Sequence, residues 1–144
     1  MFVVDTNVLL HAANEDDPLF EVCHERLSRW RRSRGAWYLT WGIVYEFMRV
    51  ITHRAVFPSP WTGGEAWGFI ESLLASPGLT VLCATDRHAS VAADSIDRVP
   101  ELHGNLLHDF HTAVLMREHG VSRIYTRDLG FHRFPFLEVL DPTA

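Results

Sequence analysis

Apolar residues recur along this chain in two rhythms. Short runs rich in β-branched residues read as buried strands, and longer stretches with apolar positions three and four apart read as helices with one buried face. Phe2, Val3 and Val4 form the first run; residues 36–40, 79–83, 121–125 and the tail 136–140 form the others. Helical spacing covers residues 19–32, where Leu19, Val22, Cys23, Leu27 and Trp30 share a face, and residues 42–53, where Ile43, Val44, Phe47, Met48 and Ile51 do. It returns over residues 63–74, 87–97 and 102–118. A shorter helix is expected after Asp5, with Thr6 or Asn7 as its cap.

The breaks fit this division. Pro18, behind Asn14, Glu15, Asp16 and Asp17, suits a first helical turn. Thr62 and Glu65 have capping-box spacing, and Thr85 or Asp86 can start the next helix. Gly35 and Gly120 stop helices, and Pro77-Gly78 is a turn. Strands alternating with helices predict an α/β fold with a parallel sheet covered on both faces. Neither repeats nor a composition shift divides residues 1–144, so a single domain is expected.

Composition narrows the chemistry. The chain is 144 residues long, 47% hydrophobic and 12% aromatic, enough for a substantial core. It has no apolar run of membrane-spanning length and no basic leader before its first strand, so no membrane partner and a cytoplasmic location are expected. Two distant cysteines, Cys23 and Cys83, make no disulfide framework. All 13 basic residues are Arg. Without Lys, a Walker A loop, a Schiff base, a Ser-Lys dyad, a receiver domain and a dehalogenase-type phosphatase are all excluded. The last would also need an acid where Asn7 stands. Five Arg lie between Arg26 and Arg34 at a helix end. They are either solvated cations at a helix C-terminus or a patch that tracks phosphates.

Four acids stand out by position. Asp5 and Asp128 end strands, where open α/β sheets build their sites. Glu46 and Asp109 are embedded in helical apolar patterns and are expected to face inward; Asp is a poor choice inside a helix. A salt bridge to Arg49 or Arg54 is the ordinary role for Glu46. Four carboxylates converging at one end of a sheet repel one another unless a cation compensates them, and oxygen-only ligation suits Mg²⁺ or Mn²⁺. Neutralising the four takes the formal charge from −5 to −1, so a metal-loaded protein need not repel RNA.

Asp5-Thr6-Asn7, the helical Glu46 and Asp109, and Thr126-Arg127-Asp128 followed by Phe131 together resemble the PIN domain, above all the VapC-type toxins of bacterial toxin–antitoxin pairs. The likeness spans nearly the whole chain. It implies a three-layer α/β/α sandwich and a Mg²⁺- or Mn²⁺-dependent endoribonuclease acting on RNA such as tRNA or rRNA. It further implies a cognate antitoxin and a homodimer. Asp5, Glu46, Asp109 and Asp128 match the family's acidic quartet. Asp5 and Asp109 are then direct metal ligands, Asp128 serves a second metal, and Glu46 ligates or orients water. Asn7 and Thr126 hold the carboxylates in place.

His108 and His111 have the spacing of half a zinc site but lack Cys or HExxH partners. They are expected to rim the site or touch RNA, and Arg26, Arg29, Arg31 and Arg32 are the candidate RNA contacts of the Arg patch. The rival from another class is a catalytically silent PIN-like module that binds RNA or a protein. A nuclease directed at DNA is a further option.

Overall fold

In the computed structural model, which describes residues 1–144, five strands form one sheet. They are β1 (Val3–Val4), β2 (Trp37–Thr40), β3 (Leu79–Leu82), β4 (Arg123–Tyr125) and β5 (Glu138–Leu140). Their spatial order is β3-β2-β1-β4-β5, and every pairing is parallel. The connections are α1 (Thr6–Ala13), α2 (Phe20–Arg32), α3 (Trp41–Ile51), α4 (Gly63–Leu74), α5 (His88–Ile96) and α6 (Leu106–Glu118). Right-handed crossovers put α1 to α4 on one face of the sheet and α5 and α6 on the other. This is a three-layer α/β/α sandwich. No helix is long and apolar enough to cross a membrane.

The strand order reverses at β1. From β1 the chain steps outward to β2 and β3, then crosses back to β4 on the other side. The switch point therefore lies between β1 and β4, at their carboxyl ends. Val4 stands beside Tyr125 in the register, so Asp5 and Thr126 leave the sheet side by side.

One core holds these layers. Val3, Val4, Trp37, Leu39 and Ile124 from the strands are fully buried, as are Val8, Leu9, Val44, Phe47, Ile70 and Met116 from the helices. Trp61 and Trp67 pack against this core. The capping box forms as expected, with Thr62 Oγ1 accepting from Glu65 N and Glu65 Oε1 from Thr62 N, both at 3.1 Å.

Several boundaries differ from the expectation, among them the cap of α5, which is Arg87 without a side-chain bond rather than Thr85 or Asp86. The cap of α1 is Asp5 itself, whose Oδ1 accepts from Thr6 N at 2.8 Å. Pro18 stays outside α2, because Asp17 Oδ1 takes the Leu19 N–H at 2.8 Å and delays the helix to Phe20. The helix expected from residue 102 begins at Leu106. Glu101 and Gly104 both have positive φ (58° and 59°), a turn that cannot continue a helix. Asp109 thus sits in the first turn of α6, where an acid is favoured by the helix dipole, rather than at mid-helix.

Candidate active site

At the switch point, Asp5 is held from three sides. Its Oδ1 caps α1. Its Oδ2 accepts from Thr126 Oγ1 and from Asn7 Nδ2, each at 2.7 Å. Asn7 Nδ2 also reaches Thr126 Oγ1 at 2.9 Å, and Asn7 Oδ1 accepts from Arg127 N at 3.1 Å. Thr126 Oγ1 accepts from Asp128 N at 2.9 Å, and Asp128 Oδ1 from Gly130 N at 2.7 Å. A single chain of hydrogen bonds therefore fixes both strand-end acids. Asn7 and Thr126 both hydrogen-bond the Asp5 carboxylate.

Asp109 enters from the other face of the sheet, on α6. A Cβ on Gly130 would lie 3.0 Å from Asp128 Oδ1 and 3.3 Å from Asp109 Oδ2. The two carboxylates thus converge over the one residue in that turn that offers no side chain.

All four acids line one cavity of about 700 Å³. Its walls also carry Gly42, Ile43, Tyr45 and Arg49 from α3, and Asn105, His108, His111 and Thr112 from α6 and its approach. Burial pushes Asp5 up to about 6, against the opposing pull of its bonds to Thr126 and Thr6, with the Glu46 and Asp128 charges adding to the rise. Burial raises Asp109 further, to about 7, followed by the charges of Asp128, Asp5 and Glu46. A site that lifts two carboxylates toward neutrality calls for a proton or a cation. Its donors are oxygens, the ligand type of Mg²⁺ and Mn²⁺. No three acidic or histidine side chains close into a cage by themselves. Asp5, Asp109 and Asp128 are the residues that could hold such a cation.

Glu46 corrects the expectation that it faces inward. Its side chain is exposed and stands 3.7 Å from Arg49 Nη2, the ion pair anticipated as its ordinary role. The apolar face of α3 is built by Ile43, Val44, Phe47 and Ile51. At 100° per residue, Tyr45, Glu46 and Arg49 fall opposite that face. The pattern was readable in the sequence, yet only the cavity shows that this outer face borders the acids. Tyr45, Arg49, Asn105 and Thr112 line the cavity without any motif in the sequence that marks them.

His108 and His111 are both exposed at the cavity wall. Burial, and next to it His88, pulls the His111 pKa below the usual histidine value. The imidazoles of His88 and His111 meet edge to face at 5.7 Å, and His88 Nδ1 is bonded to the buried Glu118.

The Arg cluster is not brought to the acids. None of Arg26, Arg29, Arg31 and Arg32 lines the cavity. α2 runs antiparallel to the strands and ends where β2 begins, at the opposite edge of the sheet. Arg31 and Arg32 border a separate, shallower cleft with Ser28, Ser72, Ala75 and Ser76. Arg29 pairs with Glu25 at 3.2 Å. Arg26 donates to the Ala144 carbonyl at 2.7 Å and lies over the Tyr125 ring.

The fold is thus an α/β/α sandwich with a parallel sheet and a cluster of acids at its switch point. Residues 2–137 match the PIN domain, and the chain belongs to that family. Within it the chain stands with the VapC proteins. It is 33% identical to ribonuclease VapC37 of Mycobacterium tuberculosis over 148 residues, covering all of this chain and 99% of that protein. It is 28% identical to ribonuclease VapC48 of the same organism, over 96% of this chain and 94% of that protein. Among solved structures, VapBC2 from Rickettsia felis, bound to a DNA fragment from its promoter, shares the fold at a TM-score of 0.69 and 12% identity. It covers 97% of both chains. The sarcin-ricin loop cleaving toxin VapC20 of Mycobacterium tuberculosis aligns at a TM-score of 0.64 and 17% identity, over 92% of this chain and 93% of that one.

Proposed function

We propose that this protein is a Mg²⁺- or Mn²⁺-dependent endoribonuclease and the toxin of a toxin–antitoxin pair, with Asp5, Glu46, Asp109 and Asp128 carrying the reaction. The observation that supports it best is the cavity itself. Four carboxylates from four separate segments line it, and two of them are raised to about 6 and about 7. The names of the VapC relatives supply the reaction class.

A divalent cation held there by Asp5, Asp109 and Asp128 would supply positive charge to the phosphoryl oxygens and would make a water a stronger nucleophile near neutral pH. The chain's own residues do the rest. Thr126, Asn7 and the α1 N-terminus keep the Asp5 carboxylate oriented and ionised. Asp109 and Asp128 approach one another over Gly130 and complete the oxygen donors. Glu46, exposed at the mouth, accepts a proton from the attacking water, and Arg49 beside it holds the carboxylate in reach. His108 and His111 face the RNA from the α6 wall.

The antitoxin belongs to this proposal, and so does a homodimer. VapBC2 and FitAB assemblies are among the structures that share this fold. The antitoxin would mask the cavity. Arg26, Arg29, Arg31 and Arg32 would contact a part of the RNA away from the cut, since none of them lines the cavity.

Purified protein incubated with total bacterial RNA tests this. Discrete fragments are expected with Mg²⁺ or Mn²⁺, none with EDTA, and none from Asp5→Asn or Asp109→Asn at unchanged circular dichroism. Full activity in Asp109→Asn would remove the quartet. A folded wild type that binds metal and RNA but cuts nothing would favour the silent binding module.

A further inference from the structure

The α3 wall of the cavity is aromatic. Trp41, Tyr45 and Arg49 stand four residues apart, so they form one stripe along the helix. Trp41 is 40% exposed and Tyr45 62%, large values for rings beside a well-packed core. Their centroids are 6.4 Å apart at an interplanar angle of 42°, so each ring leaves a face open. Gly42 lies between them and lines the cavity with Tyr45 and Arg49. The stripe therefore runs out of the carboxylate cavity, continuous with it.

Two exposed rings serve no fold purpose that the core requires. The apolar face of α3 is complete without them, through Ile43, Val44, Phe47 and Ile51. Rings followed by an Arg match what an unpaired nucleotide presents, a base with two open π-faces and a phosphate. In a helix-paired strand, by contrast, both base faces are already stacked.

We propose that Tyr45, with Trp41 a turn before it and Arg49 a turn after it, forms a stacking platform that receives an unpaired RNA base next to the scissile phosphate. This rests on the ribonuclease reading above and names the residues by which that site selects unpaired nucleotides. Tyr45 holds the base against its ring, Trp41 extends the stack away from the acids, and Arg49 meets the intervening phosphate. The rings act by positioning; the carboxylates do the chemistry.

The test uses the full-length protein and fluorescein-labelled 12-nucleotide oligouridylate and oligoadenylate, the same oligomers with two abasic sites at the centre, and a 12-base-pair RNA duplex. Affinity is read by anisotropy in EDTA, and cleavage of total RNA is followed in parallel. Tyr45→Leu and Trp41→Leu are each expected to weaken single-strand binding about ten-fold, and Tyr45→Phe less than about two-fold. The abasic oligomers should bind the wild type about ten-fold less tightly, and Tyr45→Leu should lose nothing further on them. The duplex should bind more weakly than either single strand.

If the wild type cuts RNA while Tyr45→Leu and Trp41→Leu bind all probes as it does, the platform is overturned and the ribonuclease reading stands. If the wild type neither cuts nor binds, the ribonuclease reading itself falls, and the platform with it. Sedimentation velocity completes the set. A drop in mass in either Leu variant, with weaker binding to intact and abasic probes alike, would assign the rings to a contact between protein chains and overturn the platform.

Discussion

Thr126 Oγ1 donates to Asp5 Oδ2 at 2.7 Å, joining residues 121 positions apart in the sequence. The same hydroxyl accepts from Asp128 N and Asn7 Nδ2. Three hydrogen bonds thus join two distant segments on one oxygen. Thr126→Val removes the donor and leaves the Asp128 N–H without a partner. A stability loss of about 1–3 kcal/mol is expected, with the Mg²⁺ needed for half-maximal cleavage raised about ten-fold or more. Thr126→Ser should restore both. Thermal melts and a Mg²⁺ titration of RNA cleavage measure them; an unchanged titration would make the hydroxyl a fold element only.

Gly130 marks where two acids come together. The added methyl of Gly130→Ala meets Asp128 Oδ1 at 3.0 Å and Asp109 Oδ2 at 3.3 Å, so the carboxylates must part by a few tenths of an ångström. Cleavage should fall about ten-fold or more, because metal and water positions depend on that spacing. Stability should change by less than about 1.5 kcal/mol, the strain falling on two carboxylate side chains rather than on backbone. Equal loss of both would show that the turn, and not the site, is what Gly130 serves.

The raised carboxylates set a sign for pH. Asp5 at about 6 and Asp109 at about 7 both lie above their unfolded value of 3.8. The folded protein therefore holds more protons than the unfolded chain between those limits. Their contribution to stability is full below about pH 3.8 and is lost as pH rises through about 6 and about 7. Lowered His111 works in the opposite direction, so a variant isolates the acids. In EDTA, Asp109→Asn should melt higher than the wild type at pH 7.5 and show a flatter curve down to pH 5.5, while cutting no RNA. Mg²⁺ should raise the wild-type Tm at pH 7.5. A variant that melts lower at pH 7.5 would mean the Asp109 carboxylate is not strained in the metal-free fold.

Gly78 tests the frame without touching the site. A Cβ there would stand 2.2 Å from the Gly35 carbonyl oxygen, where β2 and β3 begin side by side. Both partners are backbone and neither can swing aside. Gly78→Ala should cost about 3 kcal/mol, roughly 5–10 °C in Tm for a chain of this size. Cleavage well below the melting temperature should persist, because the acids lie at the far edge of the sheet. Calorimetry and an assay at 20 °C below the new Tm decide it.

The Arg cluster offers a separable effect. With Arg26, Arg29, Arg31 and Arg32 changed together to Gln, RNA affinity should fall and its salt dependence flatten. Turnover at saturating RNA should hold, since none of the four lines the cavity. An unchanged salt slope would leave these cations as solvated charges at the end of α2.

Local sequence was enough for most of the elements and for singling out the four acids. Periodicities of two and 3.6 depend only on neighbouring residues, so strands, helices and the capping box at Thr62 were legible. So was the placing of Asp5 and Asp128 at strand ends, because an acid directly after an apolar, β-branched run marks where the strand leaves the core. Contacts across the fold settled the rest. Asp5 became the cap of α1 because Thr6 turned its hydroxyl to the Ile43 carbonyl and Asn7 turned to Thr126. Asp109 moved to a first turn because Glu101 and Gly104 broke the helix before it. Glu46 proved exposed, yet it lines the same cavity as the other three acids. A helical pattern says which face of α3 is buried, but not that α6 lies across from the other. The Arg cluster, similarly, was readable as a helix end; its distance from the acids follows from α2 running against the strands. Which surfaces face each other depends on contacts between residues far apart in the chain, and local pattern carries no record of them.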